Sequence, residues 1–378
     1  MSEHTLAEFL IDFRHDLHEH PELSHQEVQT TEKIKAILQQ HDIRVLDLPL
    51  TTGLVAEIGS GSPLIVLRSD IDALPIEEAS GDHYASKHQG VMHACGHDFH
   101  ASAVLGAAIL LKQQEAALPG RVRLLFQAAE ETGLGAPEFI DAGVLDGAAA
   151  IFGLHNDPSL PVGVIGSKAG ALTAGVDRFE VIIQAKGSHA AKPHEGNDPI
   201  IILGQLISTL QSVISRNVPS QANSVLSITH VESGSTWNVI PDSAYVEGTV
   251  RSFDPAVRSL IESRFRTIVA GLATAFGAEI EVRWHAGPPS VINTESWVDF
   301  ALDVVKSCGL EARYVEASPI GEDFAFYQEK IPGAFMMVGS GGPYALHHPK
   351  FHIDDRALYP TAHYLSELAW QSLQSLRG

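Results

Sequence analysis

The chain has 378 residues, 25 Lys and Arg against 46 Asp and Glu, a net charge of −21, 20 His and two Cys. That length exceeds one ordinary core and suits two domains. The negative charge argues against nucleic acid or an anionic membrane as partner, and two cysteines make no disulfide framework.

The start, MSEHTLAEFLIDFRHDLHEHPE, lacks the basic-then-apolar pattern of a secretory leader. No stretch reaches the ~18 apolar residues of a membrane span, so a cytoplasmic protein is expected. Apolar positions at helical spacing (Leu6, Leu10, Phe13, Leu17, then Ile34, Ile37, Leu38) predict two helices over residues 5–40, broken at His20-Pro21. Gly53–Ile58 and Leu64–Leu67 read as short strands, the second leading into Arg68-Ser69-Asp70-Ile71-Asp72. Ser102–Gln114 reads as an apolar helix, Val122–Phe126 and Ala149–Leu154 as buried strands. Strands alternating with helices predict an α/β domain, a mostly parallel sheet with helices on both faces. Ligands of such sheets collect beyond the carboxyl ends of strands, and Asp70, Glu130-Glu131 and His155 each follow a predicted strand.

Between about Val176 and His285 the pattern changes. Phe179–Lys186, Ser224–Glu232, Tyr245–Phe253 and Glu279–Trp284 read as strands, Pro199–Arg216 and Ala256–Phe276 as helices. This βαββαβ order suits a four-stranded α+β unit of ferredoxin-like type. Trp297–Cys308 and Ala334–Val338 then resume the first style. The expected organisation is a discontinuous domain of residues 1–175 and 287–378, with 176–286 inserted as a lid or dimerisation domain.

The chemistry lies in four pieces. Met92-His-Ala-Cys95-Gly-His97-Asp-Phe-His100 packs a thiol, three imidazoles and a carboxylate into nine residues, and Cys95 with His97 across a glycine suits one borderline-soft cation. The plain alternative is a small buried cysteine and helix-capping histidines. Glu130-Glu131 is either a solvated turn or a pair in which one acid binds metal and its neighbour moves protons. His155 and the pair His347-His348 complete the set; each alone reads as an ordinary loop histidine. Jointly they bring thiolate, imidazole and carboxylate to one end of a sheet.

The motifs Arg68-x-Asp70-x-Asp72-Ala-Leu-Pro, His93-Ala-Cys-Gly-His-Asp-x-His100, Glu130-Glu131, Gly187-Ser-His-Ala-Ala-Lys-Pro-His194, Trp237-Asn-Val-Ile-Pro241, Gly248-Thr-Val-Arg251, Gly321-Glu-Asp-Phe324 and Leu346-His-His-Pro349 run through most of the chain. Together they resemble the aminoacylase and carboxypeptidase superfamily of di-metal hydrolases, whose catalytic domain is a di-zinc exopeptidase-like α/β fold. The match is to the branch with hippurate hydrolases, N-acetyldiaminopimelate deacetylases and auxin-conjugate amidohydrolases. The resemblance implies that Cys95, His97, Glu131, His155 and His347 hold two divalent ions, with His348 the competing candidate for the last place. It implies Glu130 as general base and then acid, and Asp70 as the carboxylate that orients a ligating imidazole, expected to be His97. His189 would stabilise the oxyanion, His194 would support it, and Arg251 with Asn238 would bind the substrate carboxylate. Many relatives have a ligating His at the position of Arg68 and an Asp at that of Cys95, so zinc, manganese, nickel and cobalt all stay open.

The resemblance therefore implies hydrolysis of N-acyl amino acids by a homodimer paired through the inserted domain. The alternatives are a dipeptidase or carboxypeptidase-type metallopeptidase, which for a free dipeptide needs an acid to hold the ammonium, and a catalytically silent metal-binding or assembly protein.

Overall fold

The computed structural model describes residues 2–377. The chain forms two compact units, one of Met1–Leu172, Val291–Glu316 and Asp323–Gly378, the other of Thr173–Ser290 with Ala317–Glu322.

The first unit is built on an eight-stranded mixed sheet. Its strands are β1 (Arg44–Val45), β2 (Leu54–Gly59), β3 (Leu64–Asp70), β4 (Arg121–Gln127), β5 (Ala150–Asp157), β6 (Val164–Ser167), β7 (Glu311–Tyr314) and β8 (Gly333–Gly339). Their order is β1-β2-β4-β3-β5-β8-β6-β7. The centre is parallel, from β4 through β3 and β5 to β8, while β2 joins β4 antiparallel and β6 joins β8 antiparallel.

Alternate residues of the central strands face opposite cores. Ile65, Leu67, Phe126, Phe152 and Met336 pack on the side of the helices Glu3–Glu19, His97–Gln113, Glu295–Ser307 and Leu358–Ser375. Val66, Leu125, Ile151 and Phe335 pack on the other side with Phe139 and Tyr327 of two shorter helices. That period of two, continuous across four strands, is what two covered faces require. Full burial of each such side chain contributes about 1.5–3 kcal/mol.

Several boundaries shift from expectation, and the shifts concern the site. The strand read as ending at Leu67 runs to Asp70, in register with Gln127 of β4. The one read as ending at Leu154 runs to Asp157, so His155 lies inside β5 opposite Met337 rather than in a loop. The helix expected from Ser102 begins at His97. Its N-cap is Gly96, at φ 86, with no side-chain capping bond; the usual Ser, Thr or Asp signal is absent there, which is why periodicity placed the start too late.

The second unit has four antiparallel strands in the order Ser224–Ser233, Ser243–Ser252, Gly175–Gln184, Glu279–Ala286. The helices Pro199–Asn217 and Pro255–Phe276 pack on it around Phe179, Leu206 and Phe265. Asp198 and Asp254 cap those helices, each followed by Pro at the first position. No described helix is long and apolar enough to cross a membrane.

Candidate active site

The carboxyl ends of β3, β4 and β5, the start of helix His97–Gln113 and the loop at His347 converge on one group of side chains, buried at Cys95, His97 and His155, part-buried at Glu131 and exposed at His347. Cys95 Sγ lies 3.3 Å from His155 Nε2 and 3.4 Å from His347 Nε2. Glu131 Oε1 lies 3.8 Å from His97 Nε2 and 3.7 Å from His347 Nε2. Cys95, His97 and His155 form one ligand-capable triad, and Cys95, Glu131 and His347 another, with the sulfur common to both.

Local structure explains the convergence. Gly96 must be glycine: a Cβ there would meet Asn156 Nδ2 at 2.3 Å, and its left-handed backbone turns Cys95 and His97 to the same side. His347, at φ 65, donates its N–H to Ala94 O at 2.8 Å, which ties the C-terminal loop to the Cys95 segment. His348 turns elsewhere, stacked on Tyr344 at 4.6 Å with Nδ1 accepting from Lys350 N. His347 is thus the one brought to the group.

A metal fits these residues. Donors sharing a tetrahedral ion at ~2.0–2.3 Å sit about 3.3–3.8 Å apart, which is the spacing found. His97 Nε2 and Glu131 Oε1 are buried with no hydrogen-bond partner, a costly state for polar atoms unless something binds them. The His155 ring donates Nδ1–H to Asn156 O at 2.7 Å, which leaves Nε2 as a lone pair aimed at Cys95. Burial first, and Glu131 next, push the Cys95 thiol well above its usual range, and burial pushes the Glu131 carboxyl up to about 7. Ionising these groups together calls for a cation among them.

Asp70 does not hold His97 as expected. Its Oδ1 accepts from His100 Nδ1 at 2.6 Å and its Oδ2 from Arg68 Nη1 at 2.7 Å, while His97 Nε2 is 3.8 Å away. The carboxylate on His97 is Asp72, Oδ1 to Nδ1 at 3.0 Å. Because β3 carries Asp70 in its last pairing, that side chain faces helix residue His100, and two residues further on Asp72 reaches His97. His100 in turn accepts the Asn156 backbone N–H on Nε2 at 2.8 Å, so Asp70, His100 and Asn156 brace the segment bearing His155. Both His100 nitrogens are taken up by these bonds, while Asp70, His97 and His100 stand close enough together to offer donors to an ion as well.

Arg68, buried completely, also donates to Asp323 Oδ1 at 2.6 Å and Gln127 Oε1 at 2.8 Å. Asp323 N donates to Glu130 Oε1 at 3.3 Å and positions that carboxylate beside Glu131. In the sequence Asp72 and His100 stand only as residue types at fixed spacing within their motifs, and no local pattern names their partners.

The remaining expected residues lie in the second unit. His189 is exposed in the two-residue strand Ser188–His189 paired with Val239–Ile240, and its Nδ1 accepts Ala191 N–H at 3.0 Å, so Nε2 carries the proton in the neutral ring. His194 is exposed in the turn Pro193–Glu195. Asn238 is half-buried, its Oδ1 accepting from Thr236 Oγ1. Arg251 is half-buried in its strand, bonded through Nη1 to Thr249 Oγ1 and Val250 O; no carboxylate bonds it among the described residues.

Residues 66–371 match the sequence profile of peptidase family M20/M25/M40. The chain belongs to that family. It is 49% identical to an N-acetylcysteine deacetylase of Bacillus subtilis, over 97% of this chain and 98% of the relative. It is 37% identical to an IAA-amino acid hydrolase of Arabidopsis thaliana, over 97% of this chain and 87% of the relative. Among solved structures, a dinuclear metal-binding M20 peptidase of Bacillus subtilis superposes with a TM-score of 0.88 at 46% identity, covering 98% of this chain and 99% of that one. As a member of that family the chain is a metal-dependent hydrolase, and family and neighbour together indicate two divalent ions.

Proposed function

We propose that the protein, as a cytoplasmic homodimer, releases a carboxylic acid and a free amino acid from N-acyl amino acids, with Cys95, His97, Glu131, His155 and His347 holding two divalent ions and Glu130 moving the proton. The observation that carries this reading is the shared sulfur: Cys95 Sγ within 3.4 Å of Nε2 of both His155 and His347, beside the unpartnered His97 Nε2 and Glu131 Oε1. Such ions, when bound, supply Lewis-acid polarisation of a carbonyl and acidification of water.

The side chains do the rest. Glu130 takes a proton from the attacking water and returns it to the departing amine, its carboxylate steadied by Asp323 N–H. His189 donates Nε2–H to the developing oxyanion, the tautomer that Ala191 N–H selects. Arg251 and Asn238 grip the amino-acid carboxylate, with His194 beside His189 in the same motif. Zinc, manganese, nickel and cobalt all suit a set of one thiolate, imidazoles and a carboxylate. Support for pairing of subunits comes from the edge strand Ser224–Ser233, where Val225 and Val231 are 49% and 47% exposed. Both cysteines are free thiols, as a reducing compartment favours.

The test joins elemental analysis to rates on acetyl, benzoyl, succinyl and indoleacetyl amino acids and on free dipeptides. Glu130→Gln should keep two metals per chain and lose about 10²–10⁴ in kcat; Cys95→Ser should lose metal. Faster turnover of free dipeptides than of every acyl amino acid would overturn the substrate class. Full metal content and rate in Cys95→Ser would overturn the ligand assignment.

A further inference from the structure

Glu27 is buried completely, yet no basic side chain pairs with it among the described residues. Burial pushes its carboxyl up, and a buried acid without a cation is a destabilising choice unless its hydrogen bonds matter. Those bonds are specific: Oε1 accepts Ala129 N–H at 2.9 Å, across 102 residues of chain, and Oε2 accepts the Thr52 hydroxyl at 2.7 Å.

Ala129 immediately precedes Glu130 and is left-handed at φ 59, a conformation that costs a non-glycine residue free energy. Glu27 is also the N-cap residue of helix Val28–Gln40, where a side chain ordinarily caps its own helix, and it does not. Glu22 does that work instead, accepting Gln29 N–H at 3.1 Å and Thr30 N–H at 2.8 Å. The Glu27 carboxylate is thereby released inward to the turn. The rest of that turn is fastened as well: Thr132 Oγ1 donates to Ala129 O at 2.8 Å and Glu131 N donates to Asp72 Oδ2 at 3.0 Å.

We infer that Glu27 is a positioning residue for the reaction: by holding Ala129 N–H it fixes the strained turn that aims Glu130 and Glu131 into the site. This rests on the assignment of Glu130 as the proton-moving residue. Asp72 holds the turn from one side at Glu131, and Glu27 from the other at Ala129. Glutamine at position 27 can keep both bonds, its carbonyl accepting Ala129 N–H and its amide donating to the Thr52 hydroxyl oxygen. Alanine keeps neither.

Glu27→Ala, Glu27→Gln, Thr52→Val and Glu130→Gln are compared in the full-length protein by kcat and KM on an N-acetyl amino acid, by thermal melting, and by Co(II) titration of the metal-free protein followed in its visible absorption. Glu27→Ala should lower kcat at least roughly tenfold with KM within about twofold, and should alter the Co(II) spectrum, because Glu131 shares the turn. Glu27→Gln should stay within about threefold of wild type in every readout, and Thr52→Val should fall between. Wild-type kcat in Glu27→Ala, in a protein whose Glu130→Gln form is inactive, overturns the inference. If Glu27→Ala does not fold, Thr52→Val decides: unchanged kcat and spectrum overturn it equally. An active Glu130→Gln would instead remove the assignment of the base, with the Co(II) spectra then reporting on the turn alone.

Discussion

The His97 imidazole is held by Asp72, Nδ1 to Oδ1 at 3.0 Å, with both side chains completely buried. The other Asp72 oxygen accepts Ser24 Oγ–H at 2.7 Å and Glu131 N–H at 3.0 Å. One carboxylate therefore fixes a ring and the backbone of a second metal-capable residue.

Asp72→Asn should weaken metal binding about 10–100-fold. An asparagine has one accepting oxygen, so it serves either His97 or Glu131 N–H and presents an N–H₂ to the other, whereas the carboxylate serves both. Competition of the metal-free variant against a chelator of known affinity measures the change. Undiminished affinity would return the orienting role to another group.

Arg251→Ala should raise KM for N-acyl amino acids by roughly tenfold or more, the loss of a charge-assisted bond of about 1.5–3 kcal/mol. The corresponding uncharged amides should change little, since an anchor for a carboxylate acts only where one exists. Steady-state rates on the matched pair read this directly; equal losses on both would point to misfolding or a transition-state role.

A buried ionic group sits beneath the site. Asp98 Oδ2 binds Arg14 Nε at 3.0 Å and His18 Nδ1 at 2.9 Å, and His18 Nε2 reaches Glu78 at 3.4 Å. Burial alone would lower the His18 pKa, but Asp98 and Glu78 outweigh it and push it up to about 9. A histidine so raised contributes stability that is complete below its unfolded value of ~6.5 and is lost as pH rises through about 9. Asp98, held well below the carboxylate range chiefly by Arg14 and His18 against its burial, has the opposite sign, losing its contribution only in strong acid. Urea unfolding should show His18→Gln less stable than wild type by about 3 kcal/mol at pH 6, the gap narrowing between pH 6.5 and 9. A gap independent of pH would mean that His18 is neutral in the fold.

If His189 serves the site of a second subunit, Glu130→Ala and His189→Ala protomers, each inactive alone, should complement after subunit exchange. Random reassortment makes half the dimers mixed, with half their sites intact, so about a quarter of wild-type activity should return. No recovery after verified exchange would place His189 in its own chain's site.

Residue type and spacing by themselves placed candidate metal donors, a thiol and an imidazole across a glycine, paired acids and single histidines, after apolar strands, and the period-two and period-3.6 patterns indicated the layers that bring them together; the hydrolase chemistry came from the resemblance that the ordered motifs carry. What only the tertiary structure decided was who holds whom. Asp70 and Asp72 are indistinguishable as letters two apart; which one reaches His97 depends on β3 running three residues beyond its apolar core. His347 and His348 differ only by the left-handed backbone and the bond to Ala94 that turn one inward. Glu27 precedes helix Val28–Gln40, and its grip on Ala129 spans 102 residues that no local pattern connects. Local propensity and hydrophobic period act over a few residues, whereas a buried hydrogen bond is set by where distant segments come to rest once the core has closed.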